Sequence, residues 1–150
     1  MIKEIDDYGK IVPLWQEAFG DTVQDILFFT SNCTNKKCIV YLCDDKVASM
    51  LFLVDCECEN IAAHYVYAAC TLKSMQGRGY MTQILEYCAE KYKNICLIPA
   101  SDSLVKYYND RGLLFEHSID DLSFNETNEI KEYLLEGYEL TNPSVLADFS

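Results

Sequence analysis

The stretch Tyr65–Tyr80, YVYAACTLKSMQGRGY, runs from an alternating strand pattern through a glycine-bearing loop into the most regular helix of the chain. Alternation predicts Tyr65, Tyr67 and Ala69 on one face of the strand, with His64 and Val66 on the other. After Gly79, the residues Met81, Ile84, Leu85, Cys88 and Tyr92 recur at helical spacing. Glycines at 77 and 79 allow backbone conformations closed to other residues and a close approach to a ligand. Amides at a helix start have no internal partners, and the helix dipole adds partial positive charge. Gln76-Gly77-Arg78-Gly79 therefore reads as a phosphate site, with Arg78 as an added charged donor. Two other phosphate motifs do not fit: no GxxxxGK[ST] string occurs, and a dinucleotide fingerprint lacks its third glycine.

Outward from this stretch the chain resolves into further elements. Upstream, Cys38–Leu42, an Asp44-Asp45 turn, Val47–Asp55, a Glu57–Asn60 turn and Ile61–Thr71 predict three antiparallel strands. Before them, Tyr8, Ile11, Val12, Trp15 and Phe19 predict a helix closed by Gly20, whose start is set at Tyr8 or near Pro13. Asp21 is the expected cap of a second helix through Phe29, with Val23, Ile26 and Leu27 inward. Downstream, Ile95–Ile98 predicts a strand ended by Pro99. Leu104, Val105 and Tyr108 predict a short helix stopped by Gly112, and Leu113–Phe115 starts another strand. An acidic segment over 119–150 carries one further helix, Asn128–Leu135, before a last strand or tail. With no linker-like break, residues 1–150 read as a single α/β (α+β) domain, its mixed and mostly antiparallel sheet flanked by helices.

The 150 residues carry 24 acids and 12 bases, a net charge of −12. That balance argues against nucleic acid and anionic membrane surfaces as partners. No apolar run reaches the roughly 18 residues of a membrane span, and Met1–Lys10 does not read as a signal peptide, so the cytoplasm is the expected location. The charge is regional: Asp120, Asp121, Glu126, Glu129, Glu132, Glu136, Glu139 and Asp148 face only Lys131 in the last 31 residues, whereas 66–115 holds an excess of bases. Cysteines 33, 38, 43, 56, 58, 70, 88 and 96 lack paired CxxC spacing and sit largely in apolar stretches. They read as reduced core thiols rather than as bridges or metal ligands.

Gln76-Gly77-Arg78-Gly79-Tyr80-Met81 resembles the acetyl-CoA loop of the GNAT acetyltransferases, [Q/R]-x-x-G-x-[G/A], with Met81 in place of the small last residue. The order of helices and strands over about residues 1–118 is similar to that family's, with its motif core at about 38–118. Leu97-Ile98-Pro99-Ala100, Tyr107-Tyr108 and Gly112-Leu113 resemble its second half-motif. The resemblance implies that the backbone of Ala69, Cys70 and Thr71 binds the pantetheine arm. It likewise implies that Gln76, Gly77, Arg78, Gly79, Tyr80, Met81 and Thr82 take the pyrophosphate, and that Tyr108 protonates the leaving thiolate. Tyr107 is read instead as a core residue.

The implied reaction is direct attack of a primary amine, on a small molecule or a peptide, upon acetyl-CoA. An amine of ordinary pKa needs about 4–5 kcal/mol to lose its proton at pH 7, so a base, a water chain or an electrostatic bias is required. The resemblance implies a base or base relay on the strand face of Tyr65 and Tyr67, which can hold a water or hydrogen-bond the amine; Glu57, Glu59 and His64 are other base candidates. The acids of the Glu57–Asn60 turn and of the C-terminal segment are a lead to a cationic acceptor. A non-catalytic acyl-CoA-binding or partner-binding domain of the same fold is the alternative. Dimers are common for such folds, so a homodimer is one expected state.

Overall fold

The computed structural model describes residues 1–150. Val47–Val54 is apolar or small at every position and buried at every position, so it belongs where both faces of a sheet are covered. It lies within β3 (Lys46–Cys58), between β2 (Lys36–Cys43) and β4 (Ile61–Thr71), both antiparallel to it. The two hairpin turns use Asp44-Asp45 and Glu59-Asn60, all four at positive φ, as two-residue turns matching strand twist require. Glu57 is thus still a strand residue, and the predicted turn at Glu57–Asn60 contracts to its last two positions.

A strand absent from the sequence reading, β1 (Ile2–Ile5), pairs antiparallel with β2 at one edge of the sheet. On the other side of β4 come β5 (Ile95–Leu97), parallel to it, then β8 (Val145–Ala147) and β6 (Phe115–His117). The last strand therefore inserts between two earlier ones. β7 (Leu122–Phe124) pairs with the far end of β3, beyond the end of β2. The result is one domain with an eight-stranded, mostly antiparallel sheet.

Helices cover both faces. α1 (Val12–Phe19) follows a 3-10 turn at Tyr8–Ile11 and has Pro13 in its first turn, where the missing amide hydrogen costs nothing. Its Trp15 is buried and donates its indole hydrogen to Asp21 at 2.7 Å. Asp21 is thereby engaged elsewhere, and the cap of α2 (Val23–Asn32) is Thr22, whose hydroxyl accepts from the amide of Asp25. Ile26 and Phe29 face inward, whereas Val23 and Leu27 are exposed, contrary to the expected inward set. α1, α2 and α5 (Asn128–Leu134) share one face of the sheet with Met50, Phe52, Val54 and Tyr65. α3 (Tyr80–Tyr92) and α4 (Val105–Asn109) cover the opposite face with Leu51, Leu53 and Val66. Cys33, Cys38, Cys56, Cys58, Cys88 and Cys96 are buried, and all eight cysteines are unpaired. No helix is long and apolar enough to cross a membrane.

Candidate functional site

β4 determines the site. Met50 pairs with Cys70 and Phe52 with Tyr67, so the single residue Leu51 stands opposite both Ala68 and Ala69. Ala68 adopts φ +56°, a left-handed conformation that costs a non-glycine residue about 1–2 kcal/mol. This β-bulge resets the alternation downstream of it. Tyr65, Tyr67 and Cys70 face the α1–α2–α5 side, while Val66 and Ala69 face α3 and α4. The expected common face of Tyr65, Tyr67 and Ala69 is corrected accordingly: Ala69 lies on the other side.

The same strand parts from its neighbour. Pairing between β4 and β5 is limited to His64 with Ile95 and Tyr65 with Cys96. From Val66 to Thr71 the β5-side edge of β4 has no strand beside it, and cavities occupy the opening. One is a groove of about 400 Å³ lined by Ala69, Cys70, Thr71, Gln76, Gly77, Gly79, Tyr80, Met81 and Thr82, closed by Leu104, Tyr107, Tyr108 and Arg111. The other is a chamber of about 1020 Å³ between β4, β5, α1, α2 and α5. Ala69 and Tyr108 line both, so the two cavities meet at these residues.

The groove's lining has the chemistry that suits an anion. Gly77 and Gly79 have φ +79° and +81°, and a Cβ at either would meet open space, so the loop backbone is uncovered. No side chain caps α3, leaving its first amides free to donate outward. Arg111 is the cation lining the groove, which holds no carboxylate. Its Nε donates to Thr82 Oγ1 at 2.8 Å and a terminal nitrogen donates to the Tyr107 carbonyl at 2.7 Å. Its guanidinium lies 3.4 Å above the Tyr107 ring. These observations fit a diphosphate-bearing ligand at the loop. Arg78 does not line the groove, and the Tyr80 ring stacks on Tyr41 at 4.1 Å. Met81 is buried against Ile84 and Leu85 on the core side of α3, so a larger residue is accommodated there. Thr71 exchanges a 2.7 Å hydroxyl contact with Ser49.

Of the adjacent tyrosines, Tyr108 is the buried one, 8% exposed, and Tyr107 is only partly covered, reversing the expected assignment of the core position. The Tyr108 hydroxyl has no hydrogen-bond partner, and burial pushes its pKa up to about 12. Tyr65 is also buried, and its hydroxyl donates to the Leu134 carbonyl at 2.7 Å. Tyr67 lines the chamber with its hydroxyl unpartnered; burial first, and then the charge of Asp21, raise its pKa.

The other base candidates lie elsewhere. Glu57 is exposed on β3, Glu59 faces His117 at 3.1 Å, and His64 sits beside Asp55 at 3.3 Å against the Tyr92 ring. None lines either cavity. The chamber's carboxylates are Asp21, Asp25, Glu129, Glu132 and Glu136, and no Lys, Arg or His lines it. The set contributed by α2 and the one missed cation, Arg111, escaped sequence reading. The available signal was only the close spacing of acids in each segment, since Asp21 precedes α2 and Glu136 follows α5. No group of three or more His, Cys, Asp or Glu side chains is arranged to hold a metal ion.

A family profile described as "Acetyltransferase (GNAT) domain" matches residues 3–115. Among solved structures, the fold is similar to Escherichia coli ElaA, at 13% identity and TM-score 0.61 over 99% of both chains. It is also similar to the aminoglycoside acetyltransferase meta-AAC0020 from an uncultured soil metagenomic sample, in complex with sisomicin. There the identity is 14% and the TM-score 0.61, covering 79% of this chain and 91% of that one. A conserved protein of unknown function from Enterococcus faecalis V583 aligns at 16% identity and TM-score 0.58, over 77% of this chain; the chain spans only 33% of that protein's length. No curated protein matches by sequence.

Proposed function

This chain belongs to the GNAT acetyltransferase family and is an acyltransferase, and from that premise we propose that it moves an acetyl group from acetyl-CoA to a primary amine. The observation that carries this reading is the meeting of two cavities of opposite character at Ala69 and Tyr108. One presents free helix amides, an open glycine backbone and Arg111; the other presents carboxylates and aromatic rings. An anionic thioester donor suits the first and an amine acceptor suits the second.

In this reading the loop from Gln76 to Thr82 holds the diphosphate through its backbone, aided by Arg111. The unpaired edge of β4 at Ala69–Thr71 hydrogen-bonds the pantetheine arm. The amine enters the chamber, loses a proton to water held by Tyr67, and its nitrogen lone pair attacks the acetyl carbonyl carbon. The attacking nitrogen gives its remaining excess proton to the same water as the carbon–sulfur bond breaks, and the thiolate takes the Tyr108 proton. A phenol whose pKa is pushed up to about 12 is protonated throughout the neutral range, as that donor must be. The proton is restored from solvent. Tyr65 serves the chamber wall, its own proton being committed to Leu134.

Sisomicin in the meta-AAC0020 structure supports an amine-bearing small molecule as acceptor. The buried, unpaired cysteines suit a reducing compartment such as the cytoplasm. A homodimer and action of residues 1–150 as one unit complete the proposal. The test is thermal denaturation with and without acetyl-CoA, followed by measurement of CoA release over a panel of amines. Absence of any thermal shift overturns the reading.

A further inference from the structure

Every charged group lining the chamber has the same sign. Asp21 lies just before α2 and Asp25 in its first turn, and Glu129, Glu132 and Glu136 come from α5 and the residues after it. The two helices meet through Phe28 and Tyr133, whose rings stack at 5.9 Å and 28°. None of the five carboxylates takes part in an ion pair within the chain. Asp21 accepts from Trp15, but the side chains of Asp25, Glu129, Glu132 and Glu136 have no hydrogen-bond partner in the protein. Their field converges on the aromatic wall: after burial, the charges of Asp25, Asp21, Glu129 and Glu136 raise the Tyr133 pKa. At the other end of the chamber Tyr108, 8% exposed and with its hydroxyl unpartnered, lines the junction of the two cavities.

The two ends make different demands on a ligand. The nitrogen that reacts must be neutral, and the junction around Val66, Ala69, Leu97 and Tyr108 is apolar, which favours the neutral form. A ring of free carboxylates on separate elements is of no use to that nitrogen once it has lost its charge. It suits a group that stays protonated throughout. We infer that the acceptor is a small polycationic amine: one nitrogen reaches the junction while at least one other, still protonated, sits between the α2 aspartates and the α5 glutamates. Phe28, Tyr133 and Tyr138 line the same wall and suit cation–π attraction. A cavity of about 1020 Å³ has the capacity for a whole small molecule of this kind. The inference rests on the acetyl-transfer reading and names its substrate class.

The test separates the two. A thermal shift with acetyl-CoA is measured first; its absence overturns the acetyl-transfer reading itself. With the shift in hand, initial rates of CoA release are compared for butylamine, diaminobutane and spermidine at about 50 and about 500 mM salt. The expected kcat/KM is at least about tenfold higher for the di- and triamine at low salt, an advantage that shrinks at high salt. Glu132→Gln combined with Glu136→Gln should raise KM for the diamine up to about fivefold per charge removed, leave KM for butylamine unchanged and leave the acetyl-CoA shift intact. Equal use of mono- and polyamine, or no turnover of any polyamine by protein that binds acetyl-CoA, overturns the inference. So does a preference for a neutral-tailed amine or for a peptide amine. The salt comparison uses the unaltered protein and stands whether or not the variants fold.

Discussion

The phenolic hydroxyl of Tyr65 donates to the backbone carbonyl of Leu134 across 2.7 Å, joining the middle of β4 to the end of α5. Both residues are buried, and burial followed by the neighbouring Cys96 thiol holds the Tyr65 pKa far above its ordinary value. The bond ties the floor of the chamber to the helix that supplies its glutamates. Tyr65→Phe strands a buried carbonyl and is expected to lower stability by about 1–3 kcal/mol. Thermal denaturation should show a fall of roughly 3–10 °C, with the acetyl-CoA shift retained.

Tyr108→Phe keeps the ring and removes the unpartnered hydroxyl. Turnover is expected to drop by about 10²-fold or more, the usual worth of a positioned proton donor, while the acetyl-CoA thermal shift is unchanged. Because its pKa is raised to about 12 by burial, Tyr108 stays protonated as pH climbs from 7 to 10. The wild-type rate should therefore rise with amine deprotonation over that range and show no descending limb from this residue; a fall centred near pH 9 would remove Tyr108 from the role.

Gly79 has φ +81°, and the space at its Cβ position is open. Gly79→Asp sets a carboxylate where the diphosphate is proposed to lie, and it should abolish the acetyl-CoA shift. Gly79→Asn is the control, since asparagine tolerates left-handed backbone and brings no charge. It is expected to cost about 1 kcal/mol of stability yet to keep a measurable shift.

His117 is buried on β6, its Nε2 2.9 Å from the Phe149 carbonyl and its Nδ1 3.1 Å from the Glu59 carboxylate. Its pKa is raised above 6.5 by the bond to Phe149 first, against the opposing effect of burial, and then by Glu59 and Asp121. Folding thus favours the protonated ring. The stabilisation is fully present below the unfolded value of 6.5 and is lost as pH rises through the raised folded value. Denaturant unfolding of the wild type at several pH values should show that decline just above pH 6.5, and His117→Gln should flatten it. An identical pH profile in the variant would refute the assignment.

Much of the architecture was legible because local chemistry and final structure agree. The apolar run of β3, the Asp44-Asp45 turn, the helical repeat from Met81 to Cys88 and the glycines at 77 and 79 each have one satisfactory conformation, and each adopts it. β1 was not legible: Ile2–Ile5 is four residues long with two charged members, and only the free edge of β2 makes it a strand. Phe115–His117 and Val145–Ala147 have three residues each; a strand begun by Leu113–Phe115 and a last strand or tail were expected, but not their pairing, which joins residues more than 25 positions apart.

The candidate site divides along the same line. From the sequence alone came the glycine loop proposed to bind phosphate, its helix and the lead that C-terminal acids draw a cation, because those depend on residue type and close spacing; the tyrosine pair came from the family resemblance. The tertiary structure decided the rest. The bulge at Ala68 turned Ala69 away from Tyr65 and Tyr67, an inversion produced by one extra residue against Leu51 that strict alternation cannot express. It set Arg111 against Thr82 across 29 positions of chain, and brought Asp21 and Asp25 to the same chamber as Glu129, Glu132 and Glu136. Charges that distant in sequence act on one another only when packing brings their elements to one site, within the reach that salt screening allows.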